Sequence, residues 1–132
     1  MKLFLNILLV VSPFLMHSQD IQVEYLDQYL EPTKKNKAMY TRQLVAEAET
    51  LTATITSMSG VLKATGSYII HEEELVPHGY FTFFYANGQK ESEGLYVKGY
   101  KSGDWKRYLK DGTERPVKYY NPKLGSLVDN LR

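Results

Sequence analysis

Cysteine is absent from the 132 residues, and with it go disulfides, thiolate metal sites, a thiol nucleophile and lipid attachment at a cysteine. Histidine is scarce, limited to His17, His71 and His78. No Gly-x-Ser-x-Gly elbow occurs. No glycine-rich phosphate loop occurs either, because the glycines are spaced apart instead of clustering before a helix. A charge excess is also missing: 16 basic residues face 15 acidic ones, so nothing broad and electrostatic draws the chain to nucleic acid. These absences leave core packing and backbone hydrogen bonds to hold together one small domain.

One long apolar run is present. Lys2 supplies a positive start, residues 3–15 form a mainly apolar run, and His17-Ser18-Gln19-Asp20 is polar. This is the layout of a secretory signal and is short for a membrane span. The alternative is an uncleaved anchor. Residues 1–18 are therefore assigned to a signal peptide, and export to the periplasm, envelope or medium is expected. With Lys2 removed the mature chain is neutral and has no predicted membrane span.

What the chain has in abundance is a repeat. Gly79, Phe81, Phe84 and Asn87-Gly88 recur 24 positions later as Gly103, Trp105, Tyr108 and Asp111-Gly112. Ser59-Gly60, Gly66 and Tyr68 recur 28 positions later as Asn87-Gly88, Gly94 and Tyr96. The offsets differ because residues 71–78 form a longer predicted linker than residues 98–102. Such self-similarity fixes architecture before any single motif does. Asn-Gly and Asp-Gly favour the centre of a two-residue type I′ hairpin turn. Placing turns there pairs Phe81 with Gly94, Phe83 with Ser92 and Trp105 with Lys118.

Side chains alternate along strands, so one face collects Ala53, Ile55, Leu62, Ala64, Gly66, Tyr68, Phe81, Phe83, Tyr85, Gly94, Tyr96, Trp105, Leu109 and Tyr120. Thr52, Thr54, Thr56, Lys63, Thr65 and Ser67 fall opposite. Arg107 lands on the apolar side, and Pro116 removes a ladder donor, which suits an edge strand. The predicted fold is all-β, an elongated antiparallel meander of hairpins with short irregular or helical ends. A lead-in at 19–37, a repeat domain at 38–121 and a tail at 122–132 follow the signal. Residues 21–29 suit a short strand or an irregular docking segment. Residues 39–46 are predicted as a strand, with a covering helix as the alternative; a helical turn is expected within 124–131. Gly66 and Gly94 are mid-strand, and Phe81 is predicted to lie over Gly94. Gly79 and Gly103 open strands beside an aromatic.

The pattern resembles the MORN-repeat variant family, most closely through Gly94-Leu95-Tyr96, Gly99 to Trp105, Tyr108 and Asp111-Gly112. It looks like the bacterial branch labelled as antitoxin of a YwqK-like toxin–antitoxin pair. The resemblance covers about residues 55–120 and implies the hairpin-repeat architecture; the function expected of such a chain is an exported, non-enzymatic interaction or structural module. An antitoxin or immunity function is the alternative.

Reactive candidates are few. His71 and His78 flank Glu72-Glu73-Glu74, a set that converges on a metal only if the linker folds back; a solvated turn is preferred. Glu91, Glu93 and Glu114 read as ordinary strand residues, and Ser57, Ser59, Ser67 and Ser126 carry no cue linking them to a base. No catalytic residue and no cofactor is expected. The remaining functional candidates are Tyr80, Tyr100, Tyr108 and Tyr119, most of which the register turns away from the apolar face, since tyrosine offers large, rigid, amphipathic area to a partner. That partner is expected to be another protein or an envelope component. Lys118 is expected to cover the Trp105 indole.

Overall fold

A computed structural model describes residues 21–124, so the expected signal peptide and nearly all of the expected C-terminal turn lie outside the described residues. Alternation of apolar and polar residues from Ile21 onward produces nine antiparallel strands in one sheet. They are β1 (Ile21–Leu26), β2 (Tyr40–Glu47), β3 (Thr50–Ser57), β4 (Leu62–His71), β5 (Glu74–Pro77), β6 (Gly79–Phe84), β7 (Lys90–Val97), β8 (Tyr100–Tyr108) and β9 (Glu114–Tyr120). The order β1-β2-β3-β4-β6-β7-β8-β9 follows the chain, with β5 paired only to β4. A single 3-10 turn, Lys35–Lys37, interrupts the lead-in. The all-β hairpin meander is thus the fold, and residues 40–47 form a strand despite their helix-favouring composition. Pairing with β1 and β3 on both sides overrides that propensity.

The three repeat turns differ from the predicted type. Gly88 N–H donates to Tyr85 O at 3.0 Å, and Tyr85 N–H donates to Gln89 O at 2.8 Å. Ala86 and Asn87 are therefore the central pair, and Gly88 follows with φ at 88°. Gly60 closes onto Ser57 and Gly112 onto Leu109 in the same way. Only the glycine needs the left-handed region here, as in a three-residue loop ending in a bulge.

This loop moves the pairing by one residue, and a second bulge on the return strand moves it back. Phe84 pairs with Lys90 but Phe83 pairs with Ser92, leaving Glu91 as the extra residue. Lys63 is extra in the same place one unit earlier. The two shifts cancel, so the predicted pairs Phe81–Gly94 and Trp105–Lys118 stand. Between the bulges the faces change: Leu62 pairs with Thr56 and is exposed, not inward. Lys63 and Glu91, the two extra residues, lie 3.6 Å apart as an ion pair. Leu109, also expected inward, is 46% exposed beside its turn.

The linker at 71–78 is mostly sheet. β4 and β5 close into a tight hairpin at Glu72-Glu73, both with positive φ. The strand then changes pairing at His78-Gly79, where Ser67 Oγ donates to His78 O.

The inner face is buried by rings lying on glycines. A Cβ on Gly66 would meet the Phe81 ring at 2.5 Å, and one on Gly94 would meet the Trp105 indole at 2.5 Å. Phe81 therefore seats on the glycine of the preceding unit, not on its own partner Gly94 as predicted. Each aromatic closes the unit before it. Tyr68, Phe81, Tyr96, Trp105 and Tyr120 continue edge to face, with centroids 4.9–6.2 Å apart, as ring quadrupoles prefer. The array's ends depart from the rule as they must. Ala53 stands where Phe81 and Trp105 stand in the later units, and Lys118 stands where a seat glycine would receive another ring. Leu26, Ile55 and Ala64 make a smaller cluster under Leu30 and Tyr40.

Arg42 is buried on the same face. Its Nε donates to Glu24 at 2.8 Å, and its guanidinium lies 4.7 Å from the Tyr68 ring centroid. Burial pushes the Tyr68 hydroxyl pKa up, against the opposing pull of Arg42.

Candidate functional site

Alternation sends a continuous row of side chains to the outer face. Gln43, Thr54, Thr65, Thr82, Glu93 and Lys106 pair in turn across β2, β3, β4, β6, β7 and β8. The β2–β4 portion is a threonine lawn, in which Thr41 and Thr56 share a hydroxyl contact at 3.1 Å. The β6–β9 portion is different. Tyr80 pairs with Leu95, and Leu95 pairs with Ser102; beyond them Tyr119 pairs with Asp104 at the sheet edge.

Glu93 is the centre of this portion. It is buried although it lies on the outer face. Lys90 donates to one carboxylate oxygen at 2.9 Å, and the Tyr108 hydroxyl donates to the other at 3.0 Å. The Lys90 hydrogen bond pulls the Glu93 pKa below the usual carboxylate range, against the cost of burial. The same bond pushes Lys90 up. Tyr108 and Tyr80 are both pushed up, first by desolvation and then by Glu93, through its hydrogen bond at Tyr108 and its charge at Tyr80. A general base working near neutral pH needs its pKa raised. Glu93 is shifted the other way, and it holds the Tyr108 hydroxyl and the Lys90 ammonium, with the Tyr80 side chain within reach of its charge.

All four sequence-selected tyrosines reach the outer face. Tyr80 and Tyr108 come together around Glu93. Tyr100 lies at the other end of β8 opposite Val97, and Tyr119 stands apart on β9, 68% exposed. Glu93, Lys90 and Leu95 were missed. Register places Glu93 and Leu95 outward, since they flank the inward Gly94, but it does not single them out as a site, and Lys90 lies beyond its reach next to the bulge.

The two histidines do not converge. His71 pairs with Glu74 in the hairpin stem, whereas His78 Nδ1 accepts the Lys98 N–H at 3.0 Å. No group of three or more His, Cys, Asp or Glu side chains gathers among the described residues. No helix among them is long and apolar enough to cross a membrane.

Trp105 is 1% exposed and donates from Nε1 to Leu95 O at 3.1 Å. It braces the outer face from beneath. The cation over its indole is Lys101, at 4.4 Å, whereas Lys118 lies over Tyr120 at 5.0 Å. The predicted Lys118–Trp105 contact is therefore replaced: β9 carries Lys118 along the strand axis toward the last ring, and β8 supplies the cover. No family model, curated protein or solved structure matches the chain.

Proposed function

We propose that the protein is an exported, non-enzymatic interaction module whose outer sheet face docks another protein or an envelope component. One observation carries this reading. The aromatics of the inner face are consumed in building the sheet, whereas Tyr80, Leu95, Val117 and Tyr119 stay 57%, 43%, 54% and 68% exposed. Exposed aromatic and aliphatic area gathered on one face marks an interaction site more often than scattered apolar residues do. The Glu93 constellation supports it by fixing Tyr108, its hydroxyl bonded to Glu93, before any partner arrives, which lowers the entropy cost of docking. The MORN-like repeat pattern agrees with a module of this kind.

The test is photo-crosslinking in the producing cell. A photoreactive residue at Tyr119 or Leu95 is expected to give a discrete adduct with one envelope or secreted species, and one at Thr54 none. Absence of an adduct at both tyrosine-side positions, or equal adducts at all three, would refute the assignment. A toxin as the trapped species would make the protein an immunity factor. N-terminal sequencing of the exported fraction should begin just after Ser18; a cytoplasmic protein retaining Met1 would overturn export.

A further inference from the structure

Strand direction divides the hairpin tips into two ends. Residues 47–50, 71–74 and 97–100 lie at one end of the sheet, and residues 27–39, 57–61, 85–89 and 109–113 lie at the other. Three ion pairs form within the sheet: Arg42 with Glu24, Lys63 with Glu91 and Lys90 with Glu93. At the first end Glu47, Glu49, Glu72, Glu73 and Glu74 are all exposed, with no ion pair among the described residues. Lys98 is the single lysine or arginine on those three tips, and His71 is the one histidine.

The opposite end holds the complement. Lys34 and Lys37 are exposed and unpaired among the described residues, and Lys35 sits over the Tyr25 ring at 5.9 Å. Of the two acids on this tip, Asp27 accepts the N–H groups of Tyr29 and Glu31 at one carboxylate oxygen, and Glu31 is exposed; the three lysines outnumber them. Beside these lysines is an apolar patch. Met58 N–H donates to Met39 O, which joins the lead-in to the β3–β4 tip. Met39, Met58, Val61 and Leu62 are 51%, 48%, 41% and 37% exposed. Methionine-rich surface adapts readily to an incoming side chain.

The acidic end carries a matching insert. The β4–β5 hairpin stands alone at its tip, because β5 pairs only with β4 and the Lys98-Gly99 turn stops at Pro77. It presents Glu72, Glu73 and Glu74 together with Ile70, which is 50% exposed. We propose that the acidic β4–β5 tip of one copy docks on the lysine–methionine end of a second copy, Ile70 meeting Met39 and Met58 while the glutamates meet Lys34 and Lys37. The contact uses different surfaces on its two sides, so it is heterologous and propagates as a head-to-tail chain unless it closes into a ring. It leaves the outer face free, and stands or falls separately from the docking role given to that face.

Sedimentation velocity on the purified protein over a range of concentrations tests this. At low salt a series of growing species is expected, shrinking to monomer at high salt as the charges are screened. Lys34→Glu/Lys37→Glu should weaken self-association by about a hundredfold or more, because like charges then face each other. Glu72→Lys/Glu73→Lys should do the same. An equimolar mixture of the two variants should associate again, since each acidic end now meets a basic one. Met58→Ser, which leaves the charges intact, should weaken assembly without abolishing its salt dependence. All variants should keep the native melting temperature, as the positions are exposed. A wild-type monomer at every concentration and salt, or an association that charge reversal leaves unchanged, would overturn the proposal. Failure of the mixture to reassociate would overturn it as well.

Discussion

Replacing Gly94 by alanine tests the way this sheet is built, because a single methyl would stand where the indole lies. The added carbon would come within 2.5–2.6 Å of three atoms of the Trp105 ring. Carbon atoms rest about 3.5–4.0 Å apart, so the ring must lift by about 1 Å. Its Nε1 bond to Leu95 O and its edge contacts with Tyr96 and Tyr120 would be disturbed together. Overpacking of this kind costs about 1–3 kcal/mol, and the upper end applies because the clash is with the rigid, buried indole ring. In a Trp105→Ala background the methyl meets no ring. Alanine is then the better strand residue by about 0.5–1 kcal/mol. The two substitutions should therefore couple by about 3 kcal/mol, at the top of the range for residues in contact. Urea unfolding followed by far-ultraviolet circular dichroism gives the four corners, fluorescence being unsuitable because Trp105 is the one tryptophan. Additive costs within about 0.5 kcal/mol would refute the seat. Gly66→Ala against Phe81→Ala should repeat the result one unit earlier.

Trp105→Ala alone should cost about 3–5 kcal/mol as a buried aromatic truncation, whereas Lys101→Ala should cost about 0.5–1 kcal/mol for the lost cation–π contact; thermal melts of both, with Lys118→Ala closer to wild type, check the order. Glu93 has a depressed pKa in the folded state, so its contribution is present above the usual carboxylate value and is lost as pH falls through the folded one. Glu93→Gln should accordingly flatten the acid limb of a stability–pH curve, and an unchanged limb would count against the constellation. Burial pushes the Tyr96 hydroxyl up to about 12. Phenolate absorbance should then show Tyr96 ionising after the more exposed tyrosines, and Tyr96→Phe should remove that late step.

The sheet was legible because hairpin repeats write their register in glycines and aromatics at fixed offsets. The distant pairs, such as Trp105 with Lys118, survived a misjudged turn only because two bulges cancel. Near the bulges that cancellation has not yet occurred, which is why Leu62 was sent to the wrong face. The β4–β5 hairpin was hidden because Glu72-Glu73 lacks the Asn or Gly that positive φ normally demands. The glycine seats needed a contact between units, and pairing within one hairpin points Phe81 at the wrong glycine. At the candidate site the outward tyrosines followed from alternation alone. Glu93 did not stand out among fifteen acids, since nothing in its neighbours announces that Tyr108, fifteen positions on, will close over it.

The division of labour between the faces is tested most directly by comparing stability and partner capture in one variant. Tyr80→Ser/Tyr119→Ser changes only exposed outer-face rings, so its unfolding free energy should stay within about 1 kcal/mol of wild type. Capture of the species cross-linked at position 119 should be lost. Undiminished capture by this stable variant would contradict the account, and so would a loss of stability as large as that expected for Trp105→Ala.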